Sequence, residues 1–115
     1  MKSLREAQNL AAEALLVLAD CKRAIQEVLP GATVLLYGSL ARGAAGPESD
    51  WDILVLTPQP ISATEEQKLR EAVYAIELDQ DVVLSLLIYP RGEWDDPPHR
   101  AMPLHEQVGR EGVRL

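Results

Sequence analysis

Two aspartates two residues apart, Asp50 and Asp52, stand at the head of an apolar run, WDILVLT, that reads as a strand. Alternate side chains on a strand share a face, so these carboxylates point the same way and lie close enough to share a cation. Hard oxygen ligands suit Mg2+, which keeps several waters and completes its shell with substrate phosphate oxygens, so an all-protein cage is not required. An isolated Asp-x-Asp at a strand start also reads as solvated turn chemistry. Gly38-Ser39 upstream alters that reading. Gly38 directly follows an apolar strand, where the missing side chain lets backbone approach a ligand, and the next N–H groups face an anion if a helical turn begins there. Ser39 adds a hydroxyl donor. Arg42, three residues on, lies on the same side of such a turn and reads equally as a phosphate contact and as an exposed arginine. Gly43 reads as the end of the turn. A phosphate-cradling turn beside a carboxylate pair suits metal-assisted transfer of a phosphorus-containing group. The chain has no G-x-x-x-x-G-K-[ST], and Gly38 to Gly43 lacks the internal glycine of G-x-G-x-x-G, which excludes a P-loop or Rossmann site.

The elements that must position these residues are visible in the hydrophobic pattern. Ser3 and Glu6 have capping-box spacing, and apolar residues from Leu4 to Val28 recur at helical intervals, predicting one long amphipathic helix. Leu29-Pro30-Gly31 ends it. Thr33 to Tyr37 is apolar on both faces, as a buried central strand should be. Residues 43–47 read as loop, and the strand from Asp50 to Thr57 sets Asp50, Asp52, Leu54 and Leu56 on one face, with Trp51, Ile53 and Val55 on the other. Ser62 and Glu65 offer a second capping box for a helix to about Leu78, with Leu69, Ala72, Val73 and Ile76 inward. A third strand is predicted over Asp81 to Tyr89, stopped by Pro90-Arg91-Gly92. WDDPPHRAMP then reads as extended, with one short helix over Leu104 to Val108. This order predicts an α/β (α+β) fold, a small mixed sheet with helices packed on it, in residues 1–95, followed by a Pro-containing C-terminal tail over 96–115.

The chain has 115 residues, 47% hydrophobic and 25% charged, enough for one domain with a modest core. Eleven basic against 18 acidic residues give a net charge of -7, which repels phosphate backbones and argues against a nucleic-acid partner, short of a local basic patch. A single cysteine, Cys21, forms no internal disulfide, the first residues carry charges where a secretory signal needs an apolar stretch, and no run is long enough to cross a bilayer. A cytoplasmic protein with no membrane association is expected.

The stretch LLYGSLARGAAGPESDWDILV resembles the signature of the minimal nucleotidyltransferases of the DNA polymerase β-like superfamily, in which Gly-Ser is followed after ten residues, here Leu40 to Ser49, by Asp-x-Asp. The resemblance covers roughly Thr33 to Val55. It implies the nucleotidyltransferase fold, ATP or another nucleoside triphosphate as substrate, and Mg2+ in a two-metal arrangement. Carried over, Gly38 and Ser39, with Arg42 beside them, would hold the triphosphate, and Asp50 and Asp52 would be the catalytic metal ligands. Small members of the family are often paired with a helical HEPN-domain protein in a toxin–antitoxin system, the nucleotidyltransferase acting as antitoxin. That partner is implied by the resemblance, as is transfer of AMP to a protein or small-molecule hydroxyl.

The family also supplies a third carboxylate from a later strand, followed by about four apolar residues. Here that place is Ser85, ahead of Leu86-Leu87-Ile88-Tyr89. Asp79 and Asp81 share its parity, but four residues put Asp81 roughly 13 Å back along the strand. A serine cannot replace the charge, which supports an alternative reading: a catalytically weakened nucleotide-binding or partner-neutralising module. So short a chain has little surface for an acceptor site, and a homo-oligomer or a helical partner would provide the missing wall. His99 and His105 have no zinc spacing and are expected as solvated surface residues. Cys21 reads as a core or boundary residue of the first helix. Trp51, opposite the aspartates, should pack on a helix, and Trp94 is assigned neither to a base nor to the core.

Overall fold

The computed structural model describes residues 2–3, 12–41 and 50–115, without the side chains of Lys2 and Ser39. In chain order the elements are β1 (Lys2–Ser3), α1 (Ala12–Val28), β2 (Thr33–Tyr37), α2 (Gly38–Ala41), β3 (Trp51–Thr57), α3 (Ala63–Gln80), β4 (Leu84–Pro90), α4 (Arg91–Trp94), α5 (Pro97–Arg100), α6 (Pro103–Glu111) and β5 (Val113–Arg114). The strands form one mixed sheet in the order β1-β5-β2-β3-β4. β2 runs antiparallel to β3 and β5, whereas β3–β4 and β1–β5 are parallel.

The strand alternation sorts the core into two layers. Val34, Leu36, Ile53, Val55 and Leu84 face α1 and α3, where they meet Leu18, Cys21, Ile25, Leu69 and Val73; Trp51 packs at the border of this cluster. Leu35, Tyr37, Leu54 and Leu56 face the opposite way and meet Trp94 and Val108 from α4 and α6. Burial on both faces explains why β2 and β3 are nearly continuous apolar runs. β4 lies at the sheet edge and is half-buried beyond Leu84.

Local chemistry sets the helix limits. At α3 the Ser62 hydroxyl accepts from the Glu65 N–H at 3.1 Å, and the Glu65 carboxylate accepts from the Ser62 N–H at 3.1 Å, forming the expected capping box. The helix continues to Gln80 because Asp81 caps it in the left-handed region, φ 54°, which Asp tolerates better than most residues. The third strand therefore begins at Leu84, and Asp81 belongs to the helix end. Ser3, expected as a helix cap, instead lies in β1 opposite Arg114; Glu6 falls outside the described residues.

The C-terminal segment also differs from its reading. WDDPPHRAMP is helical rather than extended: Pro97 and Pro103 each stand in the first turn of a helix, where the missing N–H has no intrahelical partner to lose. α6 covers Pro103–Glu111, longer than Leu104 to Val108. Residues 96–115, read as a tail, pack into the same body, with Val108, Val113 and Leu115 all buried. His99 and His105 are not solvated surface residues: both are partly buried among aromatic rings. Trp94 stacks on His105 with centroids 4.7 Å apart and lies 5.4 Å from Tyr89, which makes a T-shaped pair with His99 at 5.3 Å. Among the described residues no helix is long and apolar enough to cross a membrane.

Candidate functional site

The end of β2 and the starts of β3 and β4 meet at one end of the sheet. The β2–β3 register sets Tyr37 opposite Asp52, and the β3–β4 register sets Asp52 beside Ser85. One row across three strands therefore reads Tyr37, Asp52, Ser85, on the face that also carries Leu54 and Leu56. Asp50 precedes β3 and is exposed. At the next residue, the Trp51 N–H donates to the Val83 carbonyl at 2.9 Å, extending the ladder up to the carboxylate pair.

Gly38 turns the chain from β2 into α2 with φ 78°, a conformation open to glycine and strained for other residues. A β-carbon there would lie 3.3 Å from Cβ and 3.0 Å from Cγ of Asp52 and would overlap its carboxylate oxygen. The backbone of the Gly-Ser turn and the Asp52 carboxylate are thus in direct apposition. α2 packs on β2, β3 and α6, so the C-terminal helix forms part of the support for this turn. Ser39 is the second residue of α2, its side chain lying outside what the structure describes, and Arg42 lies outside the described residues.

Tyr37 is a site residue that the sequence reading did not single out. Burial, then the Asp52 charge and Tyr89, push its phenol up to about 12 from the ordinary 10.0, so it stays protonated beside the carboxylate. Only the antiparallel register brings it to Asp52; its sequence signal was a tyrosine ending an apolar strand. Burial likewise raises the Cys21 thiol to about 12, aided by Asp20 and Glu77, and leaves it a core residue.

A carboxylate pair whose strand neighbours, Tyr37 and Ser85, are uncharged fits a hard divalent cation that keeps waters and takes phosphate oxygens. Among the described residues no group of three or more His, Cys, Asp or Glu could hold a metal by itself. Asp79 lies in α3 and Asp81 at its cap, so neither is in the Asp52 row. A cavity of about 540 Å³ bounded by Ser3, Lys22, Gln26, Thr33 and Arg114 lies at the opposite end of β2 and takes no part in this arrangement.

The family profile of the Nucleotidyltransferase domain matches residues 18–103, which include Gly38, Asp50, Asp52 and Ser85. The chain belongs to the nucleotidyltransferase domain family. Over 58 residues this nucleotidyltransferase domain is 36% identical to a Methanocaldococcus jannaschii protein named "Putative protein adenylyltransferase". The matched region is 50% of this chain and 59% of that relative, so the chain spans about three fifths of the relative's length. The solved "Structure of putative minimal nucleotidyltransferase" is similar at 29% identity and a TM-score of 0.53, over 88% of this chain and 87% of that one. A toxin-antitoxin crystal structure with AMP-PNP shares the fold, with a TM-score of 0.59 at 19% identity over 90% and 72% of the two chains. The mixed sheet and flanking helices of the nucleotidyltransferase domain agree with these neighbours.

Proposed function

We propose that this domain transfers an adenylyl group from ATP to a hydroxyl of a protein or small molecule, and that Asp50 and Asp52 would hold the Mg2+ this chemistry uses. The observation that carries the reading is the apposition of the Gly38 turn and Asp52, with Asp50 two residues upstream. Adenylyl as the transferred group is supported by the name of the Methanocaldococcus jannaschii relative. In the reaction the acceptor oxygen bonds to the α-phosphorus as the bond to the β-phosphate oxygen breaks. Pyrophosphate leaves, and the acceptor's proton passes to solvent.

Gly38 leaves room for phosphate oxygens beside the strand end, and by the family resemblance Ser39 would donate to them and Arg42 would add charge. Asp50 and Asp52 would hold the cation through carboxylate oxygens, and Tyr37, protonated, lies opposite Asp52 across the strand pair. The bound cation would lower the pKa of the acceptor hydroxyl and neutralise charge on the leaving pyrophosphate. The cytoplasm, where ATP is abundant, is the proposed setting. A helical HEPN-domain toxin is the proposed partner, supported by the family resemblance and by a toxin-antitoxin complex of the same fold. Oligomerisation is the alternative source of an acceptor-site wall.

A second reading has one observation in its favour. Ser85 occupies the row position beside Asp52 where a further carboxylate would strengthen metal binding, which fits a module that binds nucleotide or neutralises a partner with little transfer. Calorimetry of ATP with and without Mg2+, on the wild type and on an Asp50→Ala, Asp52→Ala variant, tests nucleotide binding. Incubation with labelled ATP and cell extract tests transfer. Mg2+-dependent binding lost in the variant, with label on an acceptor, supports the enzyme; binding without label supports the module. A folded wild type that binds no triphosphate overturns the enzyme and the nucleotide-binding module and leaves the partner-neutralising one.

A further inference from the structure

β4 ends the sheet order, and its register with β3 fixes which backbone groups face the open side. Trp51 pairs with Leu84, and its N–H donates to the Val83 carbonyl at 2.9 Å. In a parallel ladder alternate residues turn N–H and C=O to the same neighbour, so Ser85, Leu87 and Tyr89 serve β3, while Leu84, Leu86 and Ile88 face outward. The Leu84 N–H is already held: the Glu77 carboxylate accepts it at 3.1 Å. Pro90, at the other end of the strand, has no N–H to give. The outward N–H groups that β4 offers a further strand are those of Leu86 and Ile88, placed symmetrically about Leu87. We propose that β4 is a dimer edge, on which a second copy of this chain pairs antiparallel about a two-fold axis at Leu87 and joins the two sheets into one. In that register Leu86 exchanges both backbone hydrogen bonds with Ile88 of the second copy, and Ile88 does the same with its Leu86. Leu84 falls opposite Pro90, so the strand end without an N–H meets the one whose N–H Glu77 holds.

Charge points to a second copy as the occupant. Each copy carries a net charge of -7, so self-association needs an uncharged strip, and Leu84–Pro90 has no charged residue. Solitary edge strands are protected by lysine or other charges, which this one lacks. Tyr74 and Val83, each 56% exposed, border the same edge: Ala75, Ile76 and Asp79 line the groove toward α1, which turns Tyr74 to the opposite flank of α3. The row Tyr37, Asp52, Ser85 then continues into Tyr89 of the second copy, one strand spacing of about 5 Å beyond Ser85. This assembly goes beyond the proposed reaction and does not depend on nucleotide binding.

Sedimentation equilibrium of the full chain across micromolar concentrations tests the pairing. Ile88→Pro removes one outward N–H and spares the ladder to β3. Tyr74→Glu and Leu16→Glu add the same charge at exposed positions, the first on the edge flank of α3 and the second on α1, where Leu16 is 69% exposed. The wild type should sediment as a dimer. Ile88→Pro and Tyr74→Glu should each weaken association by about tenfold or more, and Leu16→Glu should leave it unchanged. Amide hydrogen exchange followed by NMR supplies a second readout: Leu86 and Ile88 should be protected in the dimer and exchange faster on dilution, whereas Ser85, Leu87 and Tyr89 keep the protection that β3 gives them. If Ile88→Pro does not fold, Tyr74→Glu and the exchange pattern decide. A wild type that is monomeric throughout overturns the inference. So does a dimer that folded Ile88→Pro leaves intact, that Leu16→Glu weakens as much as Tyr74→Glu does, or in which the Leu86 and Ile88 amides exchange freely.

Discussion

Gly38 and Asp52 are fitted to one another: a β-carbon on the glycine would stand 3.0 Å from Cγ of the aspartate. The φ of 78° adds a second obstacle to any side chain. Gly38→Ala should lose about 1–2 kcal/mol of stability from backbone strain alone. On the proposed function it should also lower Mg2+-dependent ATP affinity by about tenfold or more, because the displaced carboxylate would no longer meet the proposed cation. Urea unfolding and calorimetry on the same preparation check the two effects separately.

Trp94 joins the C-terminal helices to the sheet through its contacts with Tyr89 and His105. It is buried in the same apolar layer as Leu35, Tyr37 and Leu54. Trp94→Ala should cost about 3–5 kcal/mol, the range for truncating a buried aromatic. The readout is the urea midpoint, and Trp94→Phe should recover most of the loss.

Alkaline pH should weaken the fold through two buried groups. Tyr37 and Cys21 both stay protonated up to about 12, against ordinary values of 10.0 and 9.0. In the unfolded chain they release their protons earlier, so above pH 9 the unfolded state binds fewer protons than the folded one. Their contribution is whole below those ordinary values and is lost as pH rises toward 12. Each group can cost up to about 1.4 kcal/mol per pH unit in that window. Urea titrations at pH 8, 9.5 and 11 (about 1.5 units apart, within the span over which the linkage acts) should show falling midpoints, and Cys21→Ala should flatten the first part of the fall.

Asp81 ends α3 in the left-handed region, and glycine adopts that conformation without steric cost. Asp81→Gly should raise stability by about 0.5–1 kcal/mol and leave ATP affinity unchanged. A thermal melt showing no gain would mean that the aspartate side chain contributes to the cap.

Local chemistry made most of the fold legible. β2 occupies Thr33–Tyr37 as its run of apolar residues predicts, and α3 starts at the Ser62–Glu65 box. The parity of β3 follows from its alternation, because one wrong step would have placed the aspartates with Ile53 in the α1–α3 core. Proline misled the reading beyond Tyr89, since the same residue that breaks a helix interior is favoured in a first turn. His99 and His105 were misread because their partners, Tyr89 and Trp94, come from elements whose packing is not local in sequence. At the site, Gly38, Asp50 and Asp52 stand out by type and spacing, whereas Tyr37 depends on a register between strands separated by a long connection.

β5 lies between β1 and β2, so Lys2 pairs with Val113 from the far end of the sequence. β2, β3, α3 and β4 follow one another in sequence and can associate without β5, whereas β1 pairs with Val113 and Arg114. Closing so long a loop is the slow kind of contact in folding. The half of the sheet that carries Asp52 can thus assemble from nearby sequence, while the half that holds β1 waits for a contact between segments far apart in the chain.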